Sequence, residues 1–147
     1  MSGLRQTIIA GSLAALSSAG IAACGGSNSS SNVISPSAAV VTENFTGTIQ
    51  PGGFKVWTFT VTSPGSVSVT MTSAGPPPTI TMGLGIGNPD NSGNCIFLSG
   101  GTTQAVASAT TPQLSGNLTA SGAYCVEIAD VGNAAGPITY TIAVSHT

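Results

Sequence analysis

The stretch Trp57-Thr58-Phe59-Thr60-Val61-Thr62, followed by Ser63-Pro64-Gly65 and then Ser66-Val67-Ser68-Val69-Thr70-Met71-Thr72, decides the fold. Apolar side chains alternate strictly with hydroxyl-bearing ones. A period of two is that of a β-strand with one buried and one wet face. Trp57, Phe59 and Val61 share one face of the first run, and Val67, Val69 and Met71 share one face of the second. Between them, proline pre-sets φ and glycine accepts a reversal, so the two runs are expected to pair as a hairpin.

The same rhythm extends in both directions. It starts near Asn44, and Gly75-Pro76-Pro77-Pro78 interrupts it, because proline cannot donate to a ladder. Ile80, Met82, Leu84 and Ile86 form the next inward face, opposed by Thr81, Gly83 and Gly85. Asn88 to Asn94 is rich in turn formers, and weaker strands are expected at Cys95–Leu98 and Thr103–Ser108. Beyond Ser121-Gly122, Tyr124, Val126 and Ile128 point inward, with Cys125, Glu127 and Ala129 outward. Gly132 to Pro137 turns the chain into Tyr140, Ile142 and Val144. No window in this region carries a helical apolar stripe. The expectation is an all-β domain over residues 41–147, an antiparallel β-sandwich or jelly roll of about eight strands.

Charge is scarce. The chain has 147 residues, with two bases (Arg5, Lys55) and four acids (Glu43, Asp90, Glu127, Asp130). Phosphate backbones are held by several Lys or Arg at once, which excludes nucleic acid as a partner. Val, Ile and Thr are abundant, so the domain is expected to fold and not to remain disordered.

Ahead of the domain, Arg5 precedes a short apolar segment, Thr7 to Leu16, that is shorter than the ~20 residues of a spanning helix. Its layout is that of a secretory signal over residues 1–23. Ile21-Ala22-Ala23-Cys24 resembles the lipobox of bacterial lipoprotein precursors, in which the cysteine is acylated and becomes the mature N-terminus. The alternative is plain secretion with a coincidental cysteine. The resemblance implies lipidation of Cys24, attachment to a membrane through that lipid, and a place in the bacterial cell envelope. Gly25 is not the aspartate of an inner-membrane retention signal, which favours the outer membrane if the source is Gram-negative. Residues 24–40 form the lipidated terminus and a Gly/Ser/Asn linker, whose thirteen residues from Gly25 to Ser37 span about 20 Å.

Phe45 to His146 resembles the bacterial pre-peptidase C-terminal family of β-sandwich domains. The resemblance rests on Trp57–Val61, Pro64–Val69, the Ile80–Ile86 alternation, Gly122–Ile128 and Tyr140–Val144. It implies a binding module associated with a secreted peptidase or other hydrolase. The aspartate that the family usually carries before the Trp57-type strand is replaced here by Gly52-Gly53-Phe54-Lys55, and no peptidase is present in the chain.

Cys95 and Cys125 are left as an even pair, expected to form a disulfide across the outer sheet face in an oxidising compartment; free thiols or a metal pair are the alternatives. One histidine, His146, leaves a metal site short of ligands and a nucleophile short of a base, so no metal, cofactor or catalytic residue is assigned. Glu127 and Asp130, three apart at a strand end, read as solvated carboxylates. Asn88–Asn94 reads as Asx-turn chemistry, with calcium as the alternative. Gly83-Leu84-Gly85-Ile86-Gly87 departs from the dinucleotide fingerprint at Asn88. Trp57, Phe59, Tyr124 and Tyr140 fall in the inward phase. Phe54 and Phe97, near strand ends, are the aromatic rings left to meet a ligand, or else to act as lids over the core. The expected function is a non-catalytic, lipid-anchored module binding a glycan or an envelope protein.

Overall fold

A computed structural model describes residues 37–147; the signal over 1–23, Cys24 and most of the linker lie outside the described residues. Eight strands follow one another: β1 (Val41–Ile49), β2 (Phe54–Val61), β3 (Gly65–Gly75), β4 (Thr81–Pro89), β5 (Cys95–Val106), β6 (Leu114–Leu118), β7 (Gly122–Asp130) and β8 (Ile138–His146). They form two four-stranded sheets, ordered β1-β8-β3-β6 and β2-β7-β4-β5. All the pairs are antiparallel, and β1 pairs with β8, β2 with β7, β3 with β6 and β4 with β5. This nested pairing is that of one long two-armed ribbon rolled onto itself, the jelly roll of the sequence expectation.

The hairpin expected between β2 and β3 does not form, because the two strands lie in different sheets. Ser63-Pro64 is instead a corner that carries the chain across the sandwich. The faces Phe59/Val61 and Val67/Val69 both join the core, one from each sheet. Alternation reports which face is buried but not whether the next strand lies beside or opposite, and here it lies opposite. Among the described residues, β4 and β5 form the one hairpin between consecutive strands. The weak strands expected at Cys95–Leu98 and Thr103–Ser108 are a single strand, bent where Gly100 takes φ 70°. β6 had no expectation attached to it.

Inward residues of both sheets interdigitate. Met71, Met82, Ile128, Tyr140 and Ile142 are fully buried. Burying each such large apolar chain contributes about 1.5–3 kcal/mol. Trp57 is only half-buried, at the edge where β1 meets β2. Its ring stacks on Phe45 at 5.4 Å between centroids, with Lys55 Nζ 5.4 Å above it. At the opposite edge β6 is short, and Gln113 continues its work. The Gln113 side chain accepts from Met71 N at 2.7 Å, satisfying a donor of β3 that β6 does not reach.

Candidate functional site

Strand register composes the outer face of the β2-β7-β4-β5 sheet row by row. One row reads Phe54, Ala129, Gly83, Gln104; the next reads Val56, Glu127, Gly85, Thr102; the third reads Thr58, Cys125, Gly87, Phe97. In these three rows β4 presents only glycine, and at two of them there is no room for a side chain as the neighbours now lie. A Cβ on Gly87 would strike the Ile96 carbonyl, and one on Gly85 would strike the Phe97 ring. The start of β5 therefore folds over β4. Cys95 thereby reaches Cys125 although β5 and β7 are not neighbours, and the two form a disulfide with Cα atoms 5.7 Å apart. Cys125 has the outward phase expected, yet it is fully buried beneath the bridge.

Beside the bridge lies a shallow groove of about 300 Å³. Gly83, Gly85 and Ala129 make its floor, and Phe97, Gln104, Thr102 and Glu127 make its sides. Phe97 is 43% exposed, lying along the Gly85 backbone with the rest of its ring open. Burial pushes the Glu127 carboxyl above its ordinary range, and among the described residues no donor bonds to it. An open ring beside a carboxylate, an amide and a hydroxyl can stack on an apolar ligand face and bond the polar groups around it.

Phe54 is 56% exposed on the same sheet face, one strand beyond the groove and outside its lining. Neither phenylalanine belongs to the core cluster, so the lid reading of both is corrected. A lid would need the inward phase, and register gives both rings the outward one.

The other carboxylates are committed elsewhere. Asp130 lies on the face of β7 opposite Glu127, where it accepts from the backbone N–H of Gly52 at 2.7 Å and of Gly132, Asn133 and Ala134. Those bonds, that of Gly52 first, hold its carboxyl below the ordinary range. Asp90 accepts from the Asn94 side chain, from Asn94 N and from Ser92 N, which lowers its pKa likewise; the Asn88–Asn94 loop thus folds around its own aspartate. Glu43 Oε1 lies 3.0 Å from His146 Nε2, and the imidazole is buried against Phe59 with Nδ1 unpartnered. Among the described residues no three His, Cys, Asp or Glu side chains gather as a metal site.

Sequence reasoning isolated Phe97 but missed Glu127, Gln104 and Thr102 as its neighbours. Their meeting depends on the registers of β4 against β5 and β7, which no local pattern specifies. One signal was present: glycine at every second position from Gly83 to Gly87 marks a strand face over which something else must pass. No protein-family model matches the chain, and no curated protein matches its sequence.

Proposed function

We propose that the chain is a lipid-anchored, non-catalytic binding module of the bacterial cell envelope. Its ligand is an uncharged glycan held on the outer face of the β2-β7-β4-β5 sheet. The carrying observation is the Phe97 ring, kept open over Gly85 with Glu127, Gln104 and Thr102 around it. Sugars offer a C–H face to an aromatic ring and hydroxyls to the amide and carboxylate beside it. An anionic glycan would be repelled by Glu127, and among the described residues no cation lines the groove, Lys55 lying over Trp57. Glu127 and Asp130 point away from each other, whereas glycoside hydrolysis needs two carboxyls flanking one bond, which supports binding without hydrolysis at this face.

The anchor rests on Ile21-Ala22-Ala23-Cys24 and the Gly/Ser linker behind it. Palmitate labelling with and without globomycin tests it; label should follow Cys24 and vanish in Cys24→Ala. Binding is tested by calorimetry with neutral oligosaccharides against the wild type and Phe97→Ala. Saturable binding lost in the variant is expected, and equal binding by both would remove the site. A second reading follows from the pre-peptidase resemblance and from Phe54, exposed outside the groove: the same face docks on a partner hydrolase. There Phe54→Ala, more than Phe97→Ala, would weaken the complex.

A further inference from the structure

The two open edges of the sandwich are closed differently. Phe45 and Trp57 plug the edge between β1 and β2. At the edge between β5 and β6, the register turns Leu114, Gly116 and Leu118 of β6 inward, opposite Val69, Val67 and Gly65 of β3. Gly116 therefore occupies the position where a plug would stand. A Cβ built there meets nothing within 4 Å.

The consequence is a cleft of about 280 Å³ that enters the core between the sheets. Val67, Val69, Ile86, Leu98, Leu118 and Tyr124 line its depth. The Tyr124 hydroxyl already donates to the Ala120 carbonyl at 2.9 Å, so the aromatic side chain in the depth presents its apolar ring. Ser99, Ser115, Asn117 and Thr119 form the mouth, and no charged residue lines any part of the cleft. Water can be held at the hydroxyl- and amide-lined mouth, but an unfilled depth would forfeit dispersion contacts along its apolar walls.

We infer that this cleft binds the end of an unbranched aliphatic chain with an uncharged polar head at the hydroxyl-lined mouth. Two sheets stack about 10 Å apart, so the space that Gly116 leaves between them is one side chain thick and suits a thin chain. A methylene group fills about the ~30 Å³ share of one liquid water. The cleft therefore accepts roughly nine carbons. The site is separate from the groove beside Phe97, and neither reading depends on the other.

Linear alcohols from butanol to dodecanol, titrated into the full chain and followed by amide chemical shifts, test it. Shifts should centre on Leu114, Gly116, Leu118 and Tyr124, and affinity should rise about fourfold per methylene up to about nonanol and then level. No rise with length, or a rise continuing unbroken to dodecanol, overturns the inference. Gly116→Leu should fill the slot, weaken nonanol binding more than tenfold and leave the thermal midpoint no lower than that of the wild type. Nonanol binding to a folded Gly116→Leu as tightly as to the wild type overturns the inference too. If that variant does not fold, the length series on the unaltered chain decides.

Discussion

The indole N–H of Trp57 donates to the hydroxyl of Tyr140 at 3.0 Å, a bond that ties β2 of one sheet to β8 of the other. Tyr140 is fully buried, and burial raises its phenol pKa, against which the Trp57 bond acts. Tyr140→Phe should cost about 1–2 kcal/mol, the penalty of a donor left unsatisfied at a part-buried site. Trp57→Phe should cost more, since part of the indole's stacking area on Phe45 is lost with the bond. In urea unfolding the double variant should fall short of the sum by about 0.5–1.5 kcal/mol, the coupling of one shared contact. Strict additivity would show that the bond contributes nothing.

The Cys95–Cys125 bridge closes a span of 30 residues that includes all of β5 and β6. By the chain-entropy estimate, its removal costs about 3–4 kcal/mol. Cys95→Ala/Cys125→Ala should therefore unfold at markedly lower denaturant, and adding a reductant should affect the wild type alone. Because the bridge also holds the start of β5 over Gly87, amide exchange in Cys95–Leu98 should quicken more than in β8.

The all-β reading and the buried faces were legible because threonine and serine mark many outward positions, so phase can be read along β2, β3 and β8. The count of eight matches because one split strand and the unexpected β6 offset each other. Pairing was not legible. Ser63-Pro64-Gly65 has the chemistry of a hairpin turn, yet a corner between sheets uses the same residues for another reason: proline fixes φ, and Gly65 leaves space that a Cβ would take from the Thr147 side chain. β6 escaped because Leu114-Ser115-Gly116-Asn117-Leu118 has glycine at its central inward position, so the alternation there lacks its middle beat. The groove was half legible. Phe97 stood out as an aromatic with nowhere inward to go, while Glu127 looked like Asp130's solvated neighbour. Only the β7–β4 register places it across from Gly85.

Gly85 tests the groove without touching its polar groups. A methyl at this position collides with the Phe97 ring, which is the far end of a side chain that can swing aside. Gly85→Ala should cost little stability, move the ring off the floor and weaken glycan binding about as far as Phe97→Ala does. Calorimetry beside thermal unfolding separates the two effects. Full binding by a folded Gly85→Ala would mean that the ring position is immaterial.

Asp130 gathers four backbone N–H groups around the turns at Gly52 and Gly132, and they hold its pKa below the ordinary 3.8. A carboxyl of lowered folded-state pKa contributes stability that is present above its unfolded value and lost as pH falls through the folded one. The wild type should therefore weaken steadily with acid below about 3.8. Asp130→Asn, which keeps one acceptor oxygen but no charge, should be less stable at neutral pH and show a shallower acid limb. Unfolding midpoints from pH 2 to 7 measure both, and parallel profiles for the two proteins would exclude Asp130 as a source of the acid limb.

Glu127 should act in the opposite sense. Partial burial in the groove raises its folded-state pKa above the ordinary 4.5, so the folded chain holds the proton more tightly than the unfolded one. The contribution is then full below about 4.5 and lost as pH rises through the folded value. At neutral pH the ionised group weakens the fold, and Glu127→Gln should recover at most about 0.5 kcal/mol once solvent screening is counted. The same substitution keeps an acceptor and adds a donor at the groove wall, so a neutral glycan should still bind. Its affinity should lose whatever pH dependence the wild type shows between pH 4 and 7. A variant that binds with the wild-type pH profile would mean that the carboxylate does not face the ligand.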